Sequence, residues 1–321
     1  MYTHAAELRH ISERSLGRIV RRIDGGDFQF ATPGSTLKNS NFLALGVMVA
    51  GVAACLCPTA RAQDNYEIQV YGSDLVPPGM TMVEIHSNFT IDGQKTVVNG
   101  VLPSNHAMHE TLEITQGWTS WFETGFYVFS SIQPGSSPDS GWQWVGDHIR
   151  PRIAVPESWH WPVGLSVSQE IGYQRRQFAE DSWNYELRPI IDKKIGPWYL
   201  DFNPAFDRAL HGMNVGRGWE FSPNVKVSFD FTKKIAGGIE YYGALGPVSE
   251  FDPINQQGQQ IFPTIDLNLS PEWEFNFGVG VDVSNSSDHL IVKCIVGRRF
   301  SWRRRHKSRE ARAISASGDA H

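Results

Sequence analysis

A period-two alternation of apolar and polar residues runs through most of the chain after residue 63, and it restricts the fold more than any other feature. In residues 224–231 apolar side chains alternate with polar ones, and residues 273–282 repeat the pattern with aromatic residues on the apolar side. Successive side chains of a β-strand point to opposite faces, so each such strand has one apolar and one polar face. No sustained 3.6-residue apolar period follows residue 63. The sequence therefore predicts an all-β protein.

About twelve segments show this alternation, each near the roughly 9–11 residues that a tilted strand needs to cross a bilayer. Turn-forming residues such as Asp92-Gly93 separate the segments, and the connections differ in length, as they do at the two ends of an outer-membrane barrel. We therefore expect a single transmembrane antiparallel β-barrel of about 12 strands. The predicted strands are residues 80–92, 105–117, 118–131, 143–154, 163–173, 183–193, 199–207, 224–231, 234–243, 261–269, 273–282 and 288–300.

Two observations favour a barrel over a soluble β-sandwich. Aromatic residues make up 12% of the chain, and tryptophans such as Trp142 and Trp273 collect toward strand ends, as at a membrane interface. The polar faces also carry ionisable groups of both signs, which a wet lumen can hold and a dry sandwich core cannot. The candidates for lining the lumen are Glu84, Glu123, Glu186, Arg188, Lys226, Asp230, Glu240, Glu274 and Lys293.

The N-terminal region has the order of a secretory signal peptide. A cationic start at Lys38 precedes an apolar core at residues 42–54 and a cleavage signal ending at Ala62. A lipobox-like sequence offers lipidation of Cys55 as the alternative to cleavage after Ala62. The expected divisions are 1–37, a disordered or mis-started extension; 38–62, the signal peptide; 63–78, a periplasmic segment; 79–300, the barrel; and 301–321, a disordered basic tail.

The last predicted strand ends at Phe300, and closing strands of outer-membrane barrels end on an aromatic residue. We therefore expect the barrel assembly machinery of a Gram-negative bacterium to recognise this strand, and the apolar faces to contact outer-membrane lipid. A formal net charge of −5, with basic residues spread along most of the chain, gives no reason to expect nucleic acid. Cys294 is the single cysteine after the predicted cleavage site, so no disulfide is expected there.

Two stretches resemble a known family. They are residues 237–243 (GGIEYYG) followed by Leu245-Gly246-Pro247, and residues 270–300. They are similar to the bacterial outer-membrane barrels named for a putative role in the meta-pathway of phenol degradation, which are labelled as transporters. The resemblance covers roughly the last hundred residues and implies a barrel of about twelve strands that passes small, hydrophobic compounds. It carries over no catalytic residue.

Two clusters could suggest chemistry, but strand alternation separates their side chains. His106 and Glu110 would share one face of a strand while His109 points to the other, which makes a poor metal site. His86 and Ser87 alternate in the same way and cannot pair as base and nucleophile. The sequence contains neither a nucleophile elbow nor a phosphate-binding loop. It predicts no catalytic residue, no metal and no cofactor.

Three functions remain open. The leading hypothesis is a passive channel or uptake transporter for small solutes, hydrophobic or aromatic compounds among them, with Glu240 and Lys293 near the passage. A lipid-modifying outer-membrane enzyme would need Ser, His and an acid to meet at one rim of the barrel. A structural or adhesive barrel would show a lumen filled by side chains or by residues 63–78.

Overall fold

The computed structural model describes residues 66–136, 138–284, 286 and 288–301. The expected extension, the signal peptide with its Ala62 cleavage site, and the alternative lipidation site at Cys55 lie outside the described residues. The basic tail after Ser301 lies outside them as well. None of the described residues belongs to a helix of sufficient length and apolar character to cross a membrane.

Twelve antiparallel strands form one closed barrel in this part of the chain, which confirms the predicted fold class. Two short 3₁₀ turns, Glu157–Trp159 and Val215–Arg217, lie in connections between strands. The strands are β1 (Met80–Asp92), β2 (Met108–Gly117), β3 (Phe122–Gln133), β4 (Gly141–Ala154), β5 (Gly164–Gln174), β6 (Asp181–Ile195), β7 (Trp198–Gly212), β8 (Trp219–Asp230), β9 (Ile235–Ala244), β10 (Gly258–Leu267), β11 (Trp273–Asp282) and β12 (Leu290–Ser301).

A seam between the first and last strands closes the sheet. Ile85 of β1 pairs with Leu112 of β2 on one side and with Val296 of β12 on the other. Every other strand pairs with the strands before and after it in sequence. A sheet closed in this way has no edge strand, so it leaves no row of unpaired backbone groups in an apolar layer.

Proline accounts for the irregular pairing of β7. Pro204 lies opposite Pro223 of β8. On its other side, the ladder with β6 is not paired between Leu187↔Phe206 and Ile191↔Phe202. Because proline has no N–H to give to a ladder, it is tolerated only where pairing is weak.

The two faces of the sheet are the reverse of those in a soluble protein. Outward apolar side chains are exposed, with Phe277 at 49% and Ile114 at 40%. Inward polar side chains are buried, with both Glu113 and Lys293 at 0%. Aromatic residues such as Trp118 are exposed at the strand ends. An apolar belt flanked by aromatic residues is the surface of a bacterial outer-membrane barrel, and it places this chain in that membrane.

The two longest connections between strands lie at one end of the barrel, and the shortest lies at the other. At the end away from the start of β1, residues 93–107 and 245–257 form the longest two. At the near end, residues 196–197 alone join β6 to β7. External loops of outer-membrane barrels are longer than periplasmic turns. We therefore assign the long connections to the cell exterior and the start of β1 to the periplasmic end.

Replacing Phe277, at the middle of β11, by Arg is expected to destabilise the barrel by about 2–4 kcal/mol, because the new charge lies at the centre of the apolar belt. The matched control is Phe231→Arg, since Phe231 lies in the short turn after β8 and is 67% exposed. A charge near the interface costs about 0–1 kcal/mol. Urea unfolding in lipid vesicles measures both, and equal losses would contradict the assigned membrane belt.

Candidate functional site

The lumen contains the segment that precedes β1. Residues 66–78, called here the lumen segment, have no strand or helix structure, and wall side chains bond directly to their backbone. The sequence predicted a periplasmic segment over 63–78, whereas the structure gives its described part wall partners inside the barrel. These bonds are Thr111 Oγ1 to the Tyr66 carbonyl at 2.7 Å, Lys293 Nζ to the Ile68 carbonyl at 3.0 Å, Arg152 Nη1 to the Gly72 carbonyl at 3.0 Å, and the Val76 N–H to Glu123 Oε2 at 2.6 Å.

The side chain of Asn203 bonds to both backbone groups of Tyr71 in the lumen segment. Its Oδ1 accepts the Tyr71 N–H at 2.8 Å, and its Nδ2 donates to the Tyr71 carbonyl at 3.0 Å. One side-chain amide therefore supplies both backbone bonds that a β-ladder would supply. Asn224, opposite it on β8, is equally buried but has no hydrogen-bond partner among the described residues.

Apolar side chains of the lumen segment pack into two clusters on the wall. Tyr66 joins Tyr127 and Phe129 of β3 in one cluster, which also includes Val145 and Phe178. Ile68 and Val70 join Tyr242, Phe262 and Ile291 in the other, and Ile68 is 0% exposed. Burying a side chain of this size is worth about 1.5–3 kcal/mol. Apolar packing therefore holds the segment together with the polar bonds.

A cluster of four charges lies beside Ile68, and two of its members, Glu240 and Lys293, are buried. Lys293 Nζ bonds Glu240 Oε2, and the Tyr242 hydroxyl lies 3.2 Å from the same ammonium. Lys226 Nζ lies 3.1 Å from Glu240 Oε1 and 3.0 Å from Asp266. Two ammonium groups thus face two carboxylates, which offsets part of the cost of removing each charge from water.

A second charged cluster surrounds the Tyr71 ring. The guanidinium of Arg150 lies 4.6 Å from the ring centroid and that of Arg188 lies 5.3 Å from it, both close enough for cation–π attraction. Arg150 Nη2 also donates to Glu113 Oε1 at 2.7 Å, and Arg152 Nε lies 2.8 Å from Glu123 Oε1. The lumen segment is therefore held by backbone, apolar and aromatic contacts together.

Above the lumen segment a cavity of about 500 Å³ opens at the external end. Tyr66 and Glu67 line it together with side chains of the wall and of the long loops. Its lining includes eight carboxylates but only two guanidinium groups, those of Arg188 and Arg217. Burial, and next the charge of Glu170, raises the pKa of the Glu67 carboxyl well above its usual range. The other acidic groups give this cavity, called here the vestibule, a negative field.

The predicted lumen-lining residues fall into separate groups in the structure. Lys226, Glu240 and Lys293 meet in the first charged cluster, and Glu123 belongs to the second. Glu186 and Arg188 pair at 2.6 Å and both line the vestibule. The remaining three do not join these groups: Glu84 is buried on β1, Glu274 of β11 accepts a bond from Gln69 at 3.5 Å, and Asp230 pairs with Lys194 at 2.6 Å near the periplasmic end.

The sequence indicated a lumen filled by residues 63–78 only as the mark of a structural barrel, and it did not single out Arg150, Arg152 or Asn203 as wall partners of the segment. Tyr66, Ile68 and Val70 alternate with polar residues just before the first predicted strand, and this short run was the available signal. Arg150 and Arg152 lie in residues 143–161, a region that is rich in proline and tryptophan and alternates poorly as a whole. Asn203 is an uncharged residue on a strand, so nothing in the sequence distinguishes it from other polar lumen positions.

The described residues do not assemble a hydrolase site from the sequence candidates. Ser87 donates to Glu110 Oε2 at 2.8 Å on the outer face, away from His86. At the external end Ser182 Oγ lies 2.7 Å from His211 Nδ1, but no described carboxylate forms an ion pair with His211. A Ser–His pair needs a third group to orient the imidazole, so this contact alone supports no catalysis.

Comparison with known proteins gives a fold and no family. No protein-family model and no curated protein matches the chain. A COG4313 outer membrane channel from Pseudomonas putida F1 is similar in structure, with a TM-score of 0.51 and 10% identity over 73% of this chain and 100% of that one. A NanC porin has a TM-score of 0.45 and 6% identity, over 67% of this chain and 97% of its own. A KdgM porin has a TM-score of 0.41 and 10% identity, over 69% and 99%.

A cysteine placed at residue 68 would report whether the lumen segment stays in the barrel. In a Cys294→Ser background, we expect Ile68→Cys to react slowly with a charged maleimide, because Ile68 is fully buried. Adding Asn203→Ala removes two hydrogen bonds, each worth about 1 kcal/mol, and should speed labelling by about tenfold or more. Asn224→Ala is the matched control and should leave the rate unchanged. Equal rates in the two variants would show that Asn203 does not hold the segment.

Proposed function

We propose that this protein is an outer-membrane diffusion channel for small polar solutes, that it favours cations, and that its lumen segment closes it. The observation that carries the proposal is the way residues 66–78 are held. Wall side chains bond to their backbone, while the barrel closes through its own strand ladders. The segment can therefore leave without unpairing any strand.

The chemistry of the wall supports a water-filled passage once the segment leaves. Lys293, Glu240, Arg150 and Glu113 all face the lumen and are 5% exposed or less. Ionised groups are costly in a permanently dry interior, whereas water in a hydrated channel solvates them. The vestibule leads to this region from the external end, and its excess of carboxylates favours cations over anions.

A structural barrel that transports nothing is the second candidate, because a filled lumen is also what that function requires. The two candidates differ in whether residues 66–78 leave the lumen during function. A hydrophobic or aromatic substrate, which the family resemblance implies, has less support from the acidic vestibule than a polar one. We also propose that the chain is a distant member of that family, and that the barrel assembly machinery recognises β12 ending near Phe300.

Lys293→Met should raise the open probability of the channel. The substitution keeps the length of the side chain but removes the ammonium that donates to the Ile68 carbonyl. A hydrogen bond from a charged group is worth about 1.5–3 kcal/mol, so we expect an increase of about tenfold or more in single-channel recordings in planar bilayers. Lys95→Met is the control, since the Lys95 side chain is 68% exposed in an external loop. Folded protein that stays silent in both variants would remove the channel and leave the structural barrel.

Ion selectivity tests the role of the vestibule. Glu186 of β6 lies opposite Asp207 of β7 in the strand register, and both carboxylates line the vestibule. The double variant Glu186→Gln/Asp207→Asn should shift the reversal potential in a salt gradient away from cation preference. Asp139→Asn changes an exposed carboxylate outside the vestibule lining and should have no such effect. An unchanged reversal potential in the double variant would show that the vestibule does not select ions.

A further inference from the structure

Three polar side chains meet on the lumen side of the first two strands, beside the charged cluster around Tyr71, to which one of them, Glu113, also belongs. Glu84 and His86 share the inward face of β1, and Glu113 of β2 lies opposite Glu84 in the strand register. One ligand atom from each lies within 4.8 Å of the other two. His86 and Glu113 are 0% exposed and Glu84 is 6% exposed.

Several polar atoms in this cluster lack the partners that burial demands. Glu84 Oε1 and His86 Nδ1 have no hydrogen-bond partner among the described residues, and His86 Nε2 and Glu113 Oε2 contact each other at 3.4 Å without hydrogen-bond geometry. Nor does any described basic residue form an ion pair with Glu84. A buried carboxylate without a counter-charge and a buried imidazole without a hydrogen bond are both costly. A cation between them would supply a counter-charge to Glu84 and a partner to the imidazole of His86.

The distances fit a metal ion better than a direct bond between the side chains. His86 Nε2 and Glu113 Oε2 are 3.4 Å apart. Two ligands at about 2.0–2.1 Å from a tetrahedral ion are separated by about 3.4 Å. A carboxylate oxygen of Glu84 lies within 4.8 Å of both of these atoms, so Glu84 would complete the third position by moving closer to them.

The neighbours of Glu113 already orient it as a ligand. Its other oxygen, Oε1, accepts bonds from Arg150 Nη2 and from the Thr115 hydroxyl, each at 2.7 Å. These bonds fix the carboxylate plane and leave Oε2 directed toward His86. Hydrogen bonds of this kind to a ligating carboxylate are typical of protein metal sites.

We propose that Glu84, His86 and Glu113 bind one divalent transition-metal ion, for which Zn²⁺ is the best match. One imidazole with two carboxylates suits Zn²⁺ more than Mg²⁺ or Ca²⁺, which prefer oxygen ligands alone. The two carboxylates neutralise the ion. The bound metal cross-links β1 to β2 beside the seam that β1 makes with β12, so it strengthens the barrel wall.

The first test measures metal bound to the protein after expression of the full sequence, purification from outer membranes without a histidine tag, and dialysis against Zn²⁺. We expect one tightly bound Zn²⁺ per chain by elemental analysis. His86→Gln should weaken Zn²⁺ affinity by about tenfold or more. His109→Gln is the matched control, because His109 is also a buried lumen histidine but packs against the Tyr66 ring.

His148→Gln tests the competing cluster, since Glu67, His148 and Glu170 also bring three ligand atoms within 4.8 Å of one another. There the His148 ring is already bonded to Glu170. Loss of Zn²⁺ in His148→Gln with retention in His86→Gln would overturn the proposal. Wild-type protein that binds no Zn²⁺, or that binds it equally in all variants, would overturn it as well.

A measurement on the unaltered protein keeps the test independent of whether variants fold. X-ray absorption at the zinc edge should show three or four nitrogen and oxygen neighbours, with the outer-shell signature of one imidazole. A spectrum with no imidazole, or with two, would contradict the assigned ligands. Thermal unfolding should shift upward when Zn²⁺ is added to chelator-treated protein, and no shift would contradict a cross-link between β1 and β2.

Discussion

The structure depends first on the backbone hydrogen bonds that a chain must satisfy inside a lipid layer. No water is available there, so every strand needs a partner on both sides, and the pairing of β1 with β12 completes the ring. Closure sends every second side chain into an enclosed interior. Because the outward positions are apolar, the polar and charged residues of the chain concentrate inside the barrel.

The buried polar and charged side chains of the wall need hydrogen-bond partners, and the lumen segment supplies some of them. Its backbone groups bond to the side chains of Thr111, Arg152, Asn203 and Lys293, and two guanidinium groups lie close to its Tyr71 ring. The wall thus has two sets of possible partners: the segment when the lumen is filled, and water and solutes when it is not. In the proposed channel an irregular chain closes the passage and leaves the ladder bonds of the barrel intact, so the closure can be reversed without unpairing a strand.

The sequence predicted the fold well because strand alternation is a local property. Residues 80–92 and 273–282 match β1 and β11, and the remaining predicted strands overlap the observed ones. The position of Pro204 was also readable, since proline restricts pairing wherever it stands. The site was less predictable, because its contacts join residues far apart: Lys293 and Ile68 are separated by 225 positions. The sequence shows the charge of each such residue and the strand face on which it lies, but it does not show which distant residue it contacts.

Hydrogen exchange at single-residue resolution on the protein in lipid tests most directly whether residues 66–78 fill the lumen. The Tyr71 N–H is bonded to Asn203 and the Val76 N–H to Glu123, both in buried surroundings. These two amides should exchange at least about a hundred times more slowly than amides of the exposed external loops, yet faster than those of the strand ladders, since the segment opens separately from the barrel. Exchange of both amides at the rate of an unprotected chain would contradict the account.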